Sequence, residues 1–203
     1  MTFSIVARCP ETSALGVGVS TAAPAVGNRA PYIKANVGAI ATQANTNIDY
    51  GIKGLKLLKL DFSPQTALEA LLKEDPERET RQVIIIDKHG RTAAFTGKET
   101  ITWKGHIVGR NFVIAGNMLT GEDVVEAMKT TFEHSKSELA ERILETLEAG
   151  DKAGGDKRGK LSSALKVVDA VTEKPYAFLD LRVDVSSNPV VKLREILEEC
   201  RNV

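Results

Sequence analysis

Thr2-Phe3-Ser4-Ile5-Val6-Ala7-Arg8 reads as a β-strand, and Ala14 to Ser20 answers it across the turn Cys9-Pro10-Glu11-Thr12-Ser13. Two such segments joined by a short polar stretch predict an antiparallel hairpin. That hairpin opens the order that decides the fold, since hairpins alternating with helix pairs argue against a parallel βαβ repeat. It also puts a hydroxyl residue, Thr2, at the mouth of the first strand. Were Met1 removed, Thr2 would carry a free amine beside its own hydroxyl. An α-amino group titrates near pH ~8 and can act as base for a hydroxyl that is a poor nucleophile alone. The plainer reading of Thr2 is a β-branched residue opening a strand.

Working outward, Val37 to Gln43 is a third apolar run. The period then changes: Ile52, Leu55, Leu58 and Leu60 form a helical stripe. A second helix opens at Ser63-Pro64, with Ser63 as N-cap and Ala67, Leu68, Leu71 and Leu72 on one face. Strands return with Gln82 to Asp87, a turn at Lys88-His89-Gly90, Arg91 to Thr96, Thr100 to Trp103 and Asn111 to Ala115. Helices are expected over Gly121 to Phe132 and Ser137 to Leu147, followed by a Gly-rich loop, Gly150 to Gly159. Strands Ser163 to Val168 and Tyr176 to Val185 lead to a helix from Pro189 to Cys200, capped by Asn188.

Hairpins alternating with helix pairs suit antiparallel sheets with helices packed outside. The near-continuous apolar runs Val37-Gly38-Ala39-Ile40-Ala41 and Val83-Ile84-Ile85-Ile86 imply strands buried on both faces. The expectation is an α+β chain: two antiparallel sheets face to face between helix layers, forming one domain over residues 1–203.

Lysine plus arginine and aspartate plus glutamate number 27 each, a zero net charge that argues against nucleic acid as a bulk electrostatic partner. Cys9 and Cys200 make no disulfide framework, and His89, His106 and His134 make no ligand pair at helical spacing, so no metal is expected. No apolar run approaches the ~20 residues of a membrane span, and no signal-peptide pattern leads the chain. A cytoplasmic protein, with no membrane partner, is expected.

Three segments besides Thr2 hold candidate chemistry. In Gly38 to Asn47 a buried strand runs into a helix, a junction whose unpaired amides can hold an anion or a developing oxyanion, or which Thr46 or Asn47 can simply cap. In Ala115-Gly116-Asn117-Met118-Leu119-Thr120-Gly121, Asn117 either donates to a substrate carbonyl or supplies turn geometry. Gly154-Gly155-Asp156-Lys157-Arg158-Gly159 lacks the Gly-Lys-Ser/Thr ending of a P-loop and precedes a strand. Its Asp156 and Arg158 are either a buried pair that orients a nucleophile or part of a solvated charged loop.

Thr2-Phe3-Ser4-Ile5-Val6-Ala7 with Pro10-Glu11-Thr12 and Leu15-Gly16-Val17, Ala41-Thr42-Gln43-Ala44 with Tyr50-Gly51, Gly116-Asn117-Met118-Leu119, and Gly154 to Gly159 with Ser162 occur in this order. Together they resemble an uncharacterised bacterial and archaeal family, domain of unknown function ten-twenty-eight, over nearly the whole chain. Two positions depart from the family's usual pattern, Cys9 and Leu161. The resemblance implies a four-layer αββα sandwich of the N-terminal-nucleophile-hydrolase type. It implies Thr2 as nucleophile with its own amine as base, and Lys34 as a lysine lowering the nucleophile's pKa. It further implies the Gln43-Ala44-Asn45 junction as oxyanion donor, with Asn117, Asp156 and Arg158 lining the site. A small amide substrate, no cofactor and a homodimer follow as expectations. The alternative is a catalytically silent relative that binds a small polar metabolite or serves a structural role.

Overall fold

The computed structural model describes residues 2–169 and 178–202. In chain order the elements are β1 (Thr2–Arg8), β2 (Leu15–Thr21), β3 (Pro31–Lys34), β4 (Gly38–Ala44), α1 (Asp49–Lys59), α2 (Pro64–Glu74), β5 (Arg81–Asp87) and β6 (Thr92–Thr96). They continue with β7 (Lys104–Gly109), β8 (Phe112–Asn117), α3 (Asp123–His134), α4 (Leu139–Lys152), β9 (Ser162–Val168), β10 (Phe178–Val183) and α5 (Pro189–Arg201).

Strand alternation sorts the side chains into layers. On β1, Phe3, Ile5 and Ala7 join Met128, Phe132, Ile143 and Leu147 of α3 and α4, whereas Val6 joins Ala39, Ala41, Ile84 and Ile86 of the other sheet. On β5, Val83 and Ile85 pack on Leu58, Leu68 and Leu71 of α1 and α2, while Ile84 and Ile86 face β1 and β8. The result is a six-stranded sheet, β10-β9-β2-β1-β8-β7, stacked on a four-stranded sheet, β3-β4-β5-β6. Every described pairing is antiparallel. Helices α3, α4 and α5 cover the larger sheet and α1 and α2 the smaller one, which is the four-layer αββα order.

Local signals act as the sequence dictates at the start of α2 and differ at two other helix starts. Ser63 caps α2 by accepting the Thr66 N–H at 3.1 Å, with Pro64 in the first turn. Glu138, rather than a hydroxyl residue, caps α4 through its carboxylate. The expected Asn188 cap is not formed: Asn188 stands at the N-cap position of α5, and its side chain makes no capping bond.

Three expectations need correction. Thr100 to Trp103 is not a strand; the edge strand is Lys104–Gly109, a half-exposed segment whose weak apolar alternation hid it. Pro31–Lys34 forms an additional four-residue edge strand. Helix α4 continues through Gly150 to Lys152, and a Cβ at Gly150 would lie 2.9 Å from Met128 and 3.1 Å from Phe3, so the glycine serves close packing rather than a loop. Tyr176 and Ala177, at the start of the last expected strand, lie outside the described residues.

No helix among the described residues is long and apolar enough to cross a membrane.

Candidate functional site

Toward one end of the sandwich the apolar layer between the sheets turns polar. The same alternation that sends Val6 inward sends Thr2 and Ser4 inward too, opposite Gln43 on β4, Gln82 on β5, Thr21 on β2 and Asn117 on β8. All six are buried. Thr2 and Asn117 are direct cross-strand partners.

Their hydrogen bonds form a chain across the sheet gap. Ser4 Oγ donates to Gln43 Oε1 at 2.7 Å, and Gln43 Nε2 donates to Gln82 Oε1 at 2.7 Å. Asn117 Nδ2 donates to the same Gln82 oxygen at 2.9 Å. Gln82 Nε2 in turn faces Thr96 Oγ1 and the carbonyls of Gly105 and Gly116 at 2.9 to 3.0 Å. The Gln43 and Gln82 amides, each bonded through both oxygen and nitrogen, hold a rigid frame. Asn117 contributes one bond to that frame and also lines the adjoining space. Thr2 stands at the edge of the frame, with its Oγ1 donating to Thr21 Oγ1 at 3.2 Å.

Above this frame lies a cavity of about 350 Å³ lined by Thr2, Thr21, Arg29, Gln43, Ala44, Asn45 and Arg158 among others. A second cavity of about 320 Å³ adjoins it, sharing Ala44, Asn45 and Arg158 and adding Glu99, Thr100, Ile101, Asn117 and Met118. Two residues at its strand ends, Ala44 and Met118, hold φ of 69° and 53°. Such left-handed backbone is costly for non-glycine residues and is found where the surroundings enforce it.

Each wall has a local cause. Between β4 and α1 runs a short link in which Asn47 Oδ1 accepts the Asp49 N–H at 3.0 Å. The link is clamped from behind by Arg81, whose Nη1 donates to the Asn45 carbonyl at 2.7 Å and whose Nε donates to Asp75 at 2.9 Å. Both charged side chains of this pair are only 7% exposed. Burial opposes ionisation of Asp75. The Arg81 guanidinium, the Glu77 N–H and the Tyr50 hydroxyl outweigh it and hold the carboxyl below the usual aspartate range. Burial also works against the Arg81 charge, and its bonds to Asp75 and Glu77 raise its pKa instead.

On the opposite wall, Gly154, Gly155 and Gly159 take φ of 112°, 49° and 100°, which lets the loop between α4 and β9 fold back on itself. Asp156 is thereby turned inward. It accepts the Ala22 N–H at 2.9 Å and the Arg158 N–H at 2.8 Å, and pairs with Arg158 Nη2 at 3.3 Å. A bridge between Leu119 and Asp156 ties the loop to the end of β8.

Thr2, Gln43, Ala44, Asn45 and Arg158 thus meet at one cavity, with Asn117 on the adjoining one and Asp156 behind Arg158. Lys34 does not join them. It is exposed on β3 opposite Gly38, the far end of the strand that reaches the cavity at Gln43, about 17 Å away at ~3.3 Å per residue. The proline-led segment enters β3 running away from the site. The Asn45 amide is likewise committed, donating to the Thr80 carbonyl at 3.2 Å. The alternation of β4, fixed by Thr42 N–H donating to Ala30, turns the Ala44 N–H to the β3 side, where β3 has already ended.

Sequence reasoning missed Thr21, Arg29 and Glu99. Thr21 was accessible from the period of two along Leu15, Val17 and Val19. Arg29 and Glu99 sit in irregular loops and left no periodic signal.

Among known proteins, a family model described as "Family of unknown function (DUF1028)" matches residues 2–193. A crystal structure of protein SPO2555 from Silicibacter pomeroyi, assigned to that same family model, is 32% identical. It covers 98% of this chain and 88% of its own, with a TM-score of 0.90. The ancestral β-subunit Anbu from Yersinia bercovieri is 10% identical over 97% of this chain and 93% of its own, with a TM-score of 0.42. No curated protein matches the chain.

Proposed function

The chain belongs to the DUF1028 family, and from that premise we propose that it hydrolyses small amides with the Thr2 hydroxyl as nucleophile and the Thr2 α-amine, freed by removal of Met1, as base. The observation that carries the reading is the position of Thr2. The residue is only 6% exposed, on a strand paired on both sides, yet it lines the floor of a 350 Å³ cavity. A nucleophile held there needs no reorganisation before attack.

In the first step Thr2 Oγ adds to the substrate carbonyl carbon as its proton passes to the Thr2 amine. The tetrahedral oxyanion is met by the Ala44 N–H, the cavity-side amide that the β4 alternation leaves beyond β3. Collapse breaks the C–N bond, the leaving nitrogen takes the proton from the amine, and an ester to Thr2 remains. Water, deprotonated by the same amine, then adds to the ester carbonyl, and the acid departs as Thr2 Oγ recovers its proton.

With Lys34 remote, the cations that line the Thr2 cavity are Arg29 and Arg158, the latter paired with Asp156. Thr21 Oγ1 lies 3.2 Å from Thr2 Oγ1, on the wall of the same cavity.

The test is hydrolysis of a panel of small amides and ureides by Met-free protein. Thr2→Ala is expected to lower the rate by roughly a thousandfold or more. Hydrolysis undiminished in Thr2→Ala would remove Thr2 from the chemistry, and binding of panel members without turnover by the unsubstituted protein would favour a silent binding protein.

A further inference from the structure

The two adjoining cavities carry opposite charge, and we infer that the substrate is dipolar. It carries a carboxylate on one side of its amide, held in the Thr2 chamber near Arg29, and an ammonium group on the other, held near Glu99. This rests on the amidase reading of the cleft.

The chambers meet along Ala44, Asn45 and Arg158. Arg158 belongs to both, and its charge is set against Asp156 at 3.3 Å. What then distinguishes the chambers is Arg29 in the first and Glu99 in the second. Among the described residues neither takes part in an ion pair within 4.0 Å. Arg29 makes one bond to the Pro24 carbonyl at 3.4 Å, too long to absorb its charge.

A cleft with a cation at one end and an anion at the other favours a ligand of the reverse polarity, and concave walls concentrate that field. In the chamber that contains Glu99, Ile101 and Met118 offer apolar surface suited to a methylene spacer. Thr2 opens only onto the chamber that contains Arg29. The scissile carbonyl therefore lies at the boundary, beside Ala44, with one charged arm in each chamber.

Three probes separate these contributions: 4-aminobutanoylglycine, which has both charges; acetylglycine, which lacks the amine; and 4-aminobutanoyl methylamide, which lacks the carboxylate. Their binding to Thr2→Ala protein is measured by calorimetry, so that turnover plays no part. The dipolar probe is expected to bind roughly tenfold or more tightly than either of the others. Arg29→Gln should erase only the advantage conferred by the carboxylate, and Glu99→Gln only that conferred by the amine. Both residues are exposed, so neither variant threatens the fold.

Equal binding of the three probes, or a preference that both variants leave unchanged, overturns the inference. Cleavage by unsubstituted protein is read separately. The expected binding pattern with no cleavage would sink the amidase reading and keep the two-chamber recognition. Cleavage without charge preference would do the reverse.

Discussion

Asp156 shows how much of the cleft depends on single side chains. Two oxygens of one carboxylate hold the end of β2 through Ala22, its own loop through the Arg158 amide, and the Arg158 guanidinium. Its side chain is 1% exposed, so a replacement without acceptors leaves buried donors unmatched. Asp156→Ala is expected to lower stability by about 2 kcal/mol in urea unfolding and to release Arg158 from the cavity wall. An unchanged unfolding midpoint would show that water satisfies those donors equally well. The inward-facing residues were legible where periodicity reached them. Thr2 shares its face with Val6, and Gln43 shares its face with Ala39 and Ala41. Lys34, implied by the resemblance, falls away from the cleft because β3 runs away from the site, and only the pairing with Gly38 reveals that direction.

Among the elements, β2 and α4 approach more closely than ordinary side chains permit. A Cβ on Gly16 or Gly18 would stand 2.3 or 2.5 Å from Ile143, so the glycines of Leu15-Gly16-Val17-Gly18 admit the helix onto the sheet. Gly18→Ala should cost about 1–3 kcal/mol by thermal or urea unfolding, through overpacking against α4. A neutral effect would mean that Ile143 has room to move.

The β4–α1 link makes a prediction about acid. The Asp75 pKa is depressed in the folded state, so the folded chain binds that proton less readily than the unfolded chain. The stabilisation is complete above the unfolded value, about pH 4, and is lost as pH falls through the lower folded value. Urea midpoints measured down the acid limb should fall more steeply in the unsubstituted protein than in Asp75→Asn, and identical slopes would contradict the linkage. The long, strongly patterned elements were readable from sequence. Edge strands β3 and β7 were not, because a half-exposed strand carries only half of the apolar alternation.

On the scale of the molecule, the four-layer order follows from strands such as Val83 to Ile86 that bury both faces, and their unbroken apolar runs made this legible in the sequence. What the layers accomplish was less so. They bring the ends of β1, β2, β4, β5 and β8, far apart in sequence, around one polar frame, and the β2–β3, β4–α1, β6–β7 and α4–β9 loops then close the cleft above it. Loop residues such as Arg29 and Glu99 acquire their place only from that assembly. The most direct measurement is intact-mass analysis of native protein before and after exposure to an acylating β-lactone. The expected result is a chain lacking Met1 that gains one acyl group at Thr2 and gains none in Thr2→Ala. A chain that uniformly keeps Met1, or one acylated equally with and without the Thr2 hydroxyl, would contradict the assignment of Thr2 as nucleophile.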